Sequence, residues 1–116
     1  MKHYTELTSI EKINDFIASN EMNFLYISRP ECSVCHAIWP KLRALLEQYP
    51  SIHLGHIDAN IVEEVAAKFD VFAVPSLLLI IDSKEYIRAD RFVRFERLEA
   101  QLDQIYRLYT GEHHSD

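Results

Sequence analysis

The sequence predicts a single α/β domain, a mixed β-sheet flanked by helices, and three observations carry that prediction. Short apolar runs alternate with segments whose apolar residues recur every three or four positions. One run, Leu77-Leu78-Leu79-Ile80-Ile81, is continuously apolar, the pattern of a strand buried on both faces. The chain has 116 residues, 48% of them hydrophobic, which is enough for one ordinary core.

The elements follow in order. Thr8-Ser9-Ile10-Glu11 fits a capping box, with Thr8 as N-cap and Glu11 reaching back. Ile10, Ile13, Phe16 and Ile17 then recur at helical spacing, so a first helix is expected from about Ser9 to Ser19. Phe24-Leu25-Tyr26-Ile27, stopped by Ser28-Arg29-Pro30, reads as a buried strand. Cys35, Ile38, Leu42, Leu45 and Tyr49 form a helical stripe that Pro40 should kink and Pro50-Ser51 ends. Ile52 to Asp58 is a second strand, and Ile61 to Phe69 a short helix with Val62, Val65, Ala66 and Phe69 inward. After the Leu77–Ile81 strand, Asp82-Ser83-Lys84 is a turn and Glu85 to Phe92 an edge strand. Phe95, Leu98, Leu102, Ile105 and Tyr109 form the clearest amphipathic helix. The predicted order is α-β-α-β-α-β-β-α. Residues 1–110 make the domain and 111–116 a polar tail. Trp39, Phe16, Phe24, Phe69, Phe72 and Tyr106 are assigned to the core.

Composition excludes several classes. A formal charge of −6 argues against generic nucleic-acid binding. The longest apolar stretch, Val71 to Ile81, contains Pro75 and Ser76 and is too short to span a bilayer. Residues 1–20 carry Glu6, Glu11 and Asp15 without an apolar run, so no secretory signal is read and a cytoplasmic location is expected. Two cysteines cannot build a disulfide-rich scaffold. Placed close together, they point to redox chemistry or a metal.

Cys32-Ser33-Val34-Cys35 follows a predicted strand and opens a predicted helix. Cys32 is thereby placed at a helix N-terminus, where unpaired N–H groups and the helix dipole favour an anion, and the thiolate is the attacking form of cysteine. Lowering a thiol from about 8.5 to about 7 corresponds to roughly 2 kcal/mol. Glu31 opposes this, but as an exposed like charge it subtracts only a fraction. Cys35, three residues on, lies on the same helix face, within disulfide reach and turned inward. His36 adds positive charge nearby but points away in a regular helix.

Over about Thr8 to Tyr109 the chain resembles the thioredoxin family. The resemblance rests on the Cys32/Cys35 motif at a strand-to-helix junction and on Pro40 five residues later. It rests also on Ile57-Asp58 closing a strand and on Val74-Pro75-Ser76, which looks like the family's cis-proline loop. It implies the thioredoxin fold, a mixed central sheet with helices on both faces. It also implies a thiol–disulfide exchange in which Cys32 attacks a substrate disulfide and Cys35 resolves the mixed disulfide. Pro75 is expected to be cis and to pack on the dithiol, with the Val74 backbone pairing with substrate as an added strand. The implied partners are a disulfide-containing protein substrate and a flavoprotein disulfide reductase as electron donor; no cofactor, metal, nucleic acid or membrane is expected. The chain departs from the family at four points. Glu31 replaces a Trp, and Ser33-Val34 replaces Gly-Pro, adding an N–H at Val34. Tyr26 stands where the family has a buried Asp, and the groove glycine near Phe92-Val93 is absent.

Three rival readings differ in class. Cys32 to His36 matches a c-type haem attachment pattern, but the apolar strand–helix context argues against it. Zinc needs about four ligands, and two Cys with one His fall short unless a dimer shares the metal. A binding or adaptor module with a redox-sensing Cys pair would use the arginines Arg88, Arg91, Arg94 and Arg97 to dock an acidic partner. Asp90, Glu96 and Glu99 offset that run, which reads better as a solvated surface. His3, His53 and His56 read as strand or surface residues. No phosphate loop, Ser-His-Asp arrangement or paired carboxylates are visible in the linear sequence.

Overall fold

A computed structural model describes residues 1–111. Its elements are β1 (Tyr4–Glu6), α1 (Ile10–Ser19), β2 (Met22–Ser28), α2 (Ser33–Leu46), β3 (His53–Asp58), α3 (Val65–Phe69), β4 (Ser76–Ile81), β5 (Lys84–Ala89) and α4 (Phe95–Thr110). The five strands form one mixed sheet in the order β1-β3-β2-β4-β5. β1, β3 and β2 run parallel, and β4 is antiparallel to both β2 and β5. This is the thioredoxin fold.

The strand period of two divides the core into two layers. Met22, Phe24 and Tyr26 of β2 and Leu77, Leu79 and Ile81 of β4 face α2 and α4, where Ile38, Leu42, Leu98 and Leu102 meet them. Leu25 and Ile27 of β2 and Leu78 and Ile80 of β4 face the other way, against Ile13 of α1 and Val65 of α3. Every residue of β2 and β4 is buried, and this explains the unbroken apolar run at Leu77–Ile81. Tyr49 and Tyr106 lock α4 to the α2–β3 connection. Their rings meet edge to face at 5.1 Å, the Tyr49 hydroxyl donates to Asp103 Oδ1, and the Ser51 N–H donates to the Tyr106 hydroxyl.

The structure corrects the expected elements at several points. β1 is an additional strand; its three residues are too few for a readable alternation, and it exists because β3 offers it a parallel edge. Ser9, not Thr8, caps α1 by accepting from the Lys12 N–H, while Thr8 accepts from the Lys12 ammonium. α3 begins only at Val65; Val62 is buried ahead of it and Ala66 is exposed. β5 ends at Ala89, short of Phe92. The buried seam of α4 runs through Leu98, Leu102 and Tyr106 and leaves Tyr109 outside. Phe72 is no core residue, being 90% exposed in the loop after α3. The Asp82-Ser83 turn holds both central residues at positive φ, the geometry of a two-residue hairpin whose twist matches its strands. Gly111 caps α4 in the left-handed region at φ 73°; the rest of the expected tail lies outside the described residues.

Gly55 allows α1 to approach the sheet closely. A Cβ there would come within 2.6 Å of Leu7 Cδ1, 3.0 Å of Phe16 Cε2 and 3.1 Å of Leu25 Cδ2. Gly55→Ala is therefore expected to lower stability by about 1–3 kcal/mol through overpacking, read as a lower urea midpoint at unchanged slope.

Candidate active site

The site hangs from the C-terminal end of β2. After Ser28 the chain turns, the Cys32 N–H donates to the Arg29 carbonyl, and α2 begins. Cys32 is its N-cap: at φ −90°, ψ 104° its backbone is extended, and its Sγ accepts from the Cys35 N–H at 3.1 Å. The sulfur thus occupies the position that capping oxygens take, facing the positive end of a 14-residue helix. Cys32 and Cys35 are joined as a disulfide, with Cα atoms 5.3 Å apart. Cys32 is half-buried, whereas Cys35 is only 2% exposed. Of the two, Cys32 is the more accessible to attack from solvent.

Ser33 is exposed and Val34 packs partly on the core. Pro40 lies within α2, where its missing N–H leaves the His36 carbonyl without its helical donor. The His36 ring turns outward, and its Nε2–H donates to the Pro30 carbonyl at 2.7 Å, bracing the loop before Cys32. Glu31 accepts from the Asn60 side-chain amide, whose oxygen in turn accepts from Arg29 Nε. A hydrogen bond from its own backbone amide, then the one from Asn60, holds the Glu31 carboxyl below the usual carboxylate range. A negative charge consequently remains beside Cys32, with Arg29 close by.

Tyr26 lies beneath the helix turn, 1% exposed. Its hydroxyl donates to the Cys35 carbonyl at 2.6 Å, and its ring stacks on Trp39 at 4.9 Å. Burial pushes its hydroxyl well above the ordinary tyrosine range, so it cannot serve as a base near neutral pH. Val74-Pro75 approaches the same end of the sheet, because Ser76 pairs with Ile27 in the β2–β4 register. The Val74–Pro75 peptide is cis; Pro75 is buried and Val74 half-buried.

Sequence reasoning missed the residues behind the disulfide. Register aligns Glu6, His56 and Tyr26 in one row across β1, β3 and β2. His56 Nδ1 lies 2.7 Å from Glu6 Oε1, and His56 Nε2 lies 2.7 Å from Ser28 Oγ. A Ser-His-carboxylate chain therefore does exist, assembled from three strands. These groups line a cleft of about 310 Å³ together with Tyr26, Trp39 and Cys35. The only linear signal is a His two residues before the end of β3, and its carboxylate partner sits on β1, whose three residues carry no pattern. Trp39 forms a wall of this cleft and meets Tyr4 edge to face at 5.1 Å and the His56 ring at 5.3 Å. Elsewhere, Arg88 of the arginine run is held by Glu85 and by the carbonyls of Phe69 and Asp70.

The sequence model of the thioredoxin family matches residues 5–104. The thioredoxin-like protein YdfQ of Bacillus subtilis is 54% identical over 112 residues, covering 97% of this chain and 100% of that one. Thioredoxin-1 of Saccharomyces cerevisiae is 28% identical over 70% of this chain and 79% of its own. Among solved structures, Fasciola hepatica thioredoxin superposes with a TM-score of 0.75 at 26% identity, over 84% of this chain and 95% of that one.

The buried tyrosines set an alkaline limit. Burial raises the Tyr26 hydroxyl, and burial followed by the Asp103 hydrogen bond raises that of Tyr49. Up to about pH 10 folded and unfolded chains both keep these protons, and above it the unfolded chain releases them first. Stability should therefore hold below about pH 10 and fall as pH rises beyond it, seen in urea midpoints taken from pH 8 to pH 11. Tyr26→Phe should cost about 1 kcal/mol at pH 7 and decline less steeply above pH 10.

Proposed function

The chain belongs to the thioredoxin family, and from that premise we propose that its thiol–disulfide oxidoreductase chemistry is the reduction of protein disulfides through Cys32 and Cys35. The carrying observation is the asymmetry of the pair: a half-buried sulfur capping α2 and a second sulfur sealed one turn inside. Cys32 is the nucleophile. Its thiolate attacks one sulfur of the substrate disulfide, the other leaves, and a mixed disulfide forms. Cys35 then attacks Cys32, releases the second substrate sulfur and leaves the pair oxidised. The helix N-terminus favours the Cys32 thiolate, and the Val34 N–H, which a proline at that position would lack, adds a donor to that turn. Pro75 shapes the floor of the groove, and the Val74 backbone takes the substrate chain in extended form. Glu31 sets the local charge, Ser33 stays at the surface, Tyr26 anchors the Cys35 turn and Pro40 interrupts the helical hydrogen bonding of α2 at the His36 carbonyl.

The substrate is a protein disulfide, and the electron donor a flavoprotein disulfide reductase. A reducing compartment, the cytoplasm, suits a chain whose only two cysteines form this one pair. Arg88 is engaged within its own chain, so the acidic-partner adaptor has fewer charges to offer.

Equilibration in graded dithiothreitol or glutathione buffers, alkylation and label counting by mass spectrometry test the reading. Both labels should disappear together, with a midpoint near about −270 mV. A midpoint near about −180 to −120 mV replaces the reductase with an isomerase or oxidant. Cys32→Ser should abolish exchange, and Cys35→Ser should accumulate the mixed disulfide. Failure of the pair to reoxidise in any buffer, with partner binding intact in the double Ser variant, moves the protein to the adaptor class.

A further inference from the structure

The proposed exchange makes a demand that its two cysteines do not meet. Cys35 must lose a proton before it can attack, because the thiolate is the nucleophile. It is 2% exposed, and burial among apolar groups disfavours a thiolate. A base must reach it through the cleft that it lines.

Most groups around the cleft are already committed. Tyr26 gives its proton to the Cys35 carbonyl and is no base. His36 gives its Nε2–H to Pro30 on the outer side of the helix. Asp58 accepts from the Asn60 N–H, and Arg29 binds the Asn60 side chain. Arg43 lies over the outer Tyr4 and Trp39 rings, at 4.9 Å and 5.6 Å from their centres. His56 is left. Glu6 accepts from its Nδ1–H, which leaves the Nε2 lone pair to accept from the Ser28 hydroxyl. Glu6 from β1 is the charged group in contact with this ring, Tyr4 and Tyr26 pack against it, and Arg29 from the loop after β2, His36 from α2 and Asp58 from its own strand line the same cleft.

Resting on the oxidoreductase reading, we infer that Glu6, His56 and Ser28 form a proton relay serving the resolving cysteine, across the cleft that all of them share with Cys35. The step balances. Cys32 thiolate opens the substrate disulfide, and the first substrate sulfur leaves as a thiolate. The Cys35 proton then passes by way of the Ser28 hydroxyl to His56 Nε2. Cys35 thiolate attacks Cys32 Sγ, the bond from Cys32 to the second substrate sulfur breaks, and that sulfur leaves with the proton returned by the imidazolium. Two electrons pass from the dithiol to the substrate disulfide. Glu6, Ser28 and His56 line this cleft, whose volume of about 310 Å³ leaves room for water to complete the path. His56 acts through Ser28 and is a positioning and proton-relay residue; Glu6 selects its tautomer.

Stopped-flow reaction of the reduced protein with 5,5′-dithiobis(2-nitrobenzoate) separates the two steps, since each sulfur released gives one chromophore. His56→Gln should leave the first phase within twofold and slow the second at least tenfold at pH 7. Its second phase should lose whatever bend the wild-type pH profile shows, leaving only a log-linear rise with hydroxide. Added imidazole should speed the second phase of His56→Ala, which a purely structural loss would not allow. If His56 variants fail to fold, judged by circular dichroism, Ser28→Ala and Glu6→Gln carry the same test with at least a threefold slowing of the second phase. A second phase and pH profile unchanged in the folded variants overturn the relay alone. Fewer than two chromophores from the wild type overturn the oxidoreductase reading, and the relay with it.

Discussion

β2 is the strand on which everything else is hung. It pairs with β3 on one side and β4 on the other, and both its faces are covered by helices. Such a strand has no solvent-facing freedom, so a register slip of one residue would move every side chain to the wrong layer. That rigidity passes directly to the chemistry. Tyr26 leaves β2 to hold the Cys35 carbonyl, Ser28 leaves it to meet His56, and four residues later Cys32 caps α2.

The α2 terminus is consequently fixed from three directions. Tyr26 supports its first turn from below, His36 ties it to the preceding loop, and the Arg29–Asn60–Glu31 chain joins that loop to the end of β3. A helix end positioned this way keeps its N–H groups and dipole aimed at one place, where the Cys32 sulfur sits. The same arrangement seals Cys35, which creates the need for an internal proton path. Tyr26 serves the first purpose and cannot serve the second, and the cleft beside it brings together groups that can.

Parts of this architecture were readable locally. The Ile10–Ile17 spacing, the continuous Leu77–Ile81 run and the Phe95–Leu102 stripe each reflect burial of one face or two, and burial patterns are written in residue order. β1 was not readable, since three residues with two exposed positions carry no pattern of their own. The helical start assigned at Ile61 fails because Val62 is buried by a turn, and apolar spacing alone does not separate a turn from a helix. Phe72 shows the converse: an aromatic in an apolar stretch can stand outside when the chain turns there.

The sequence by itself determined that this is one α/β domain with a Cys-x-x-Cys pair at a strand-to-helix junction, because strand, helix and motif are contiguous and their physics is local. Only the tertiary structure decided what lies behind that pair. Glu6, Ser28 and His56 are 22, 28 and 50 residues apart in their three pairings. They become neighbours because parallel pairing of β1 and β2 with β3 sets them in register, and side chains that meet across a sheet leave no trace of that meeting in the order of the chain.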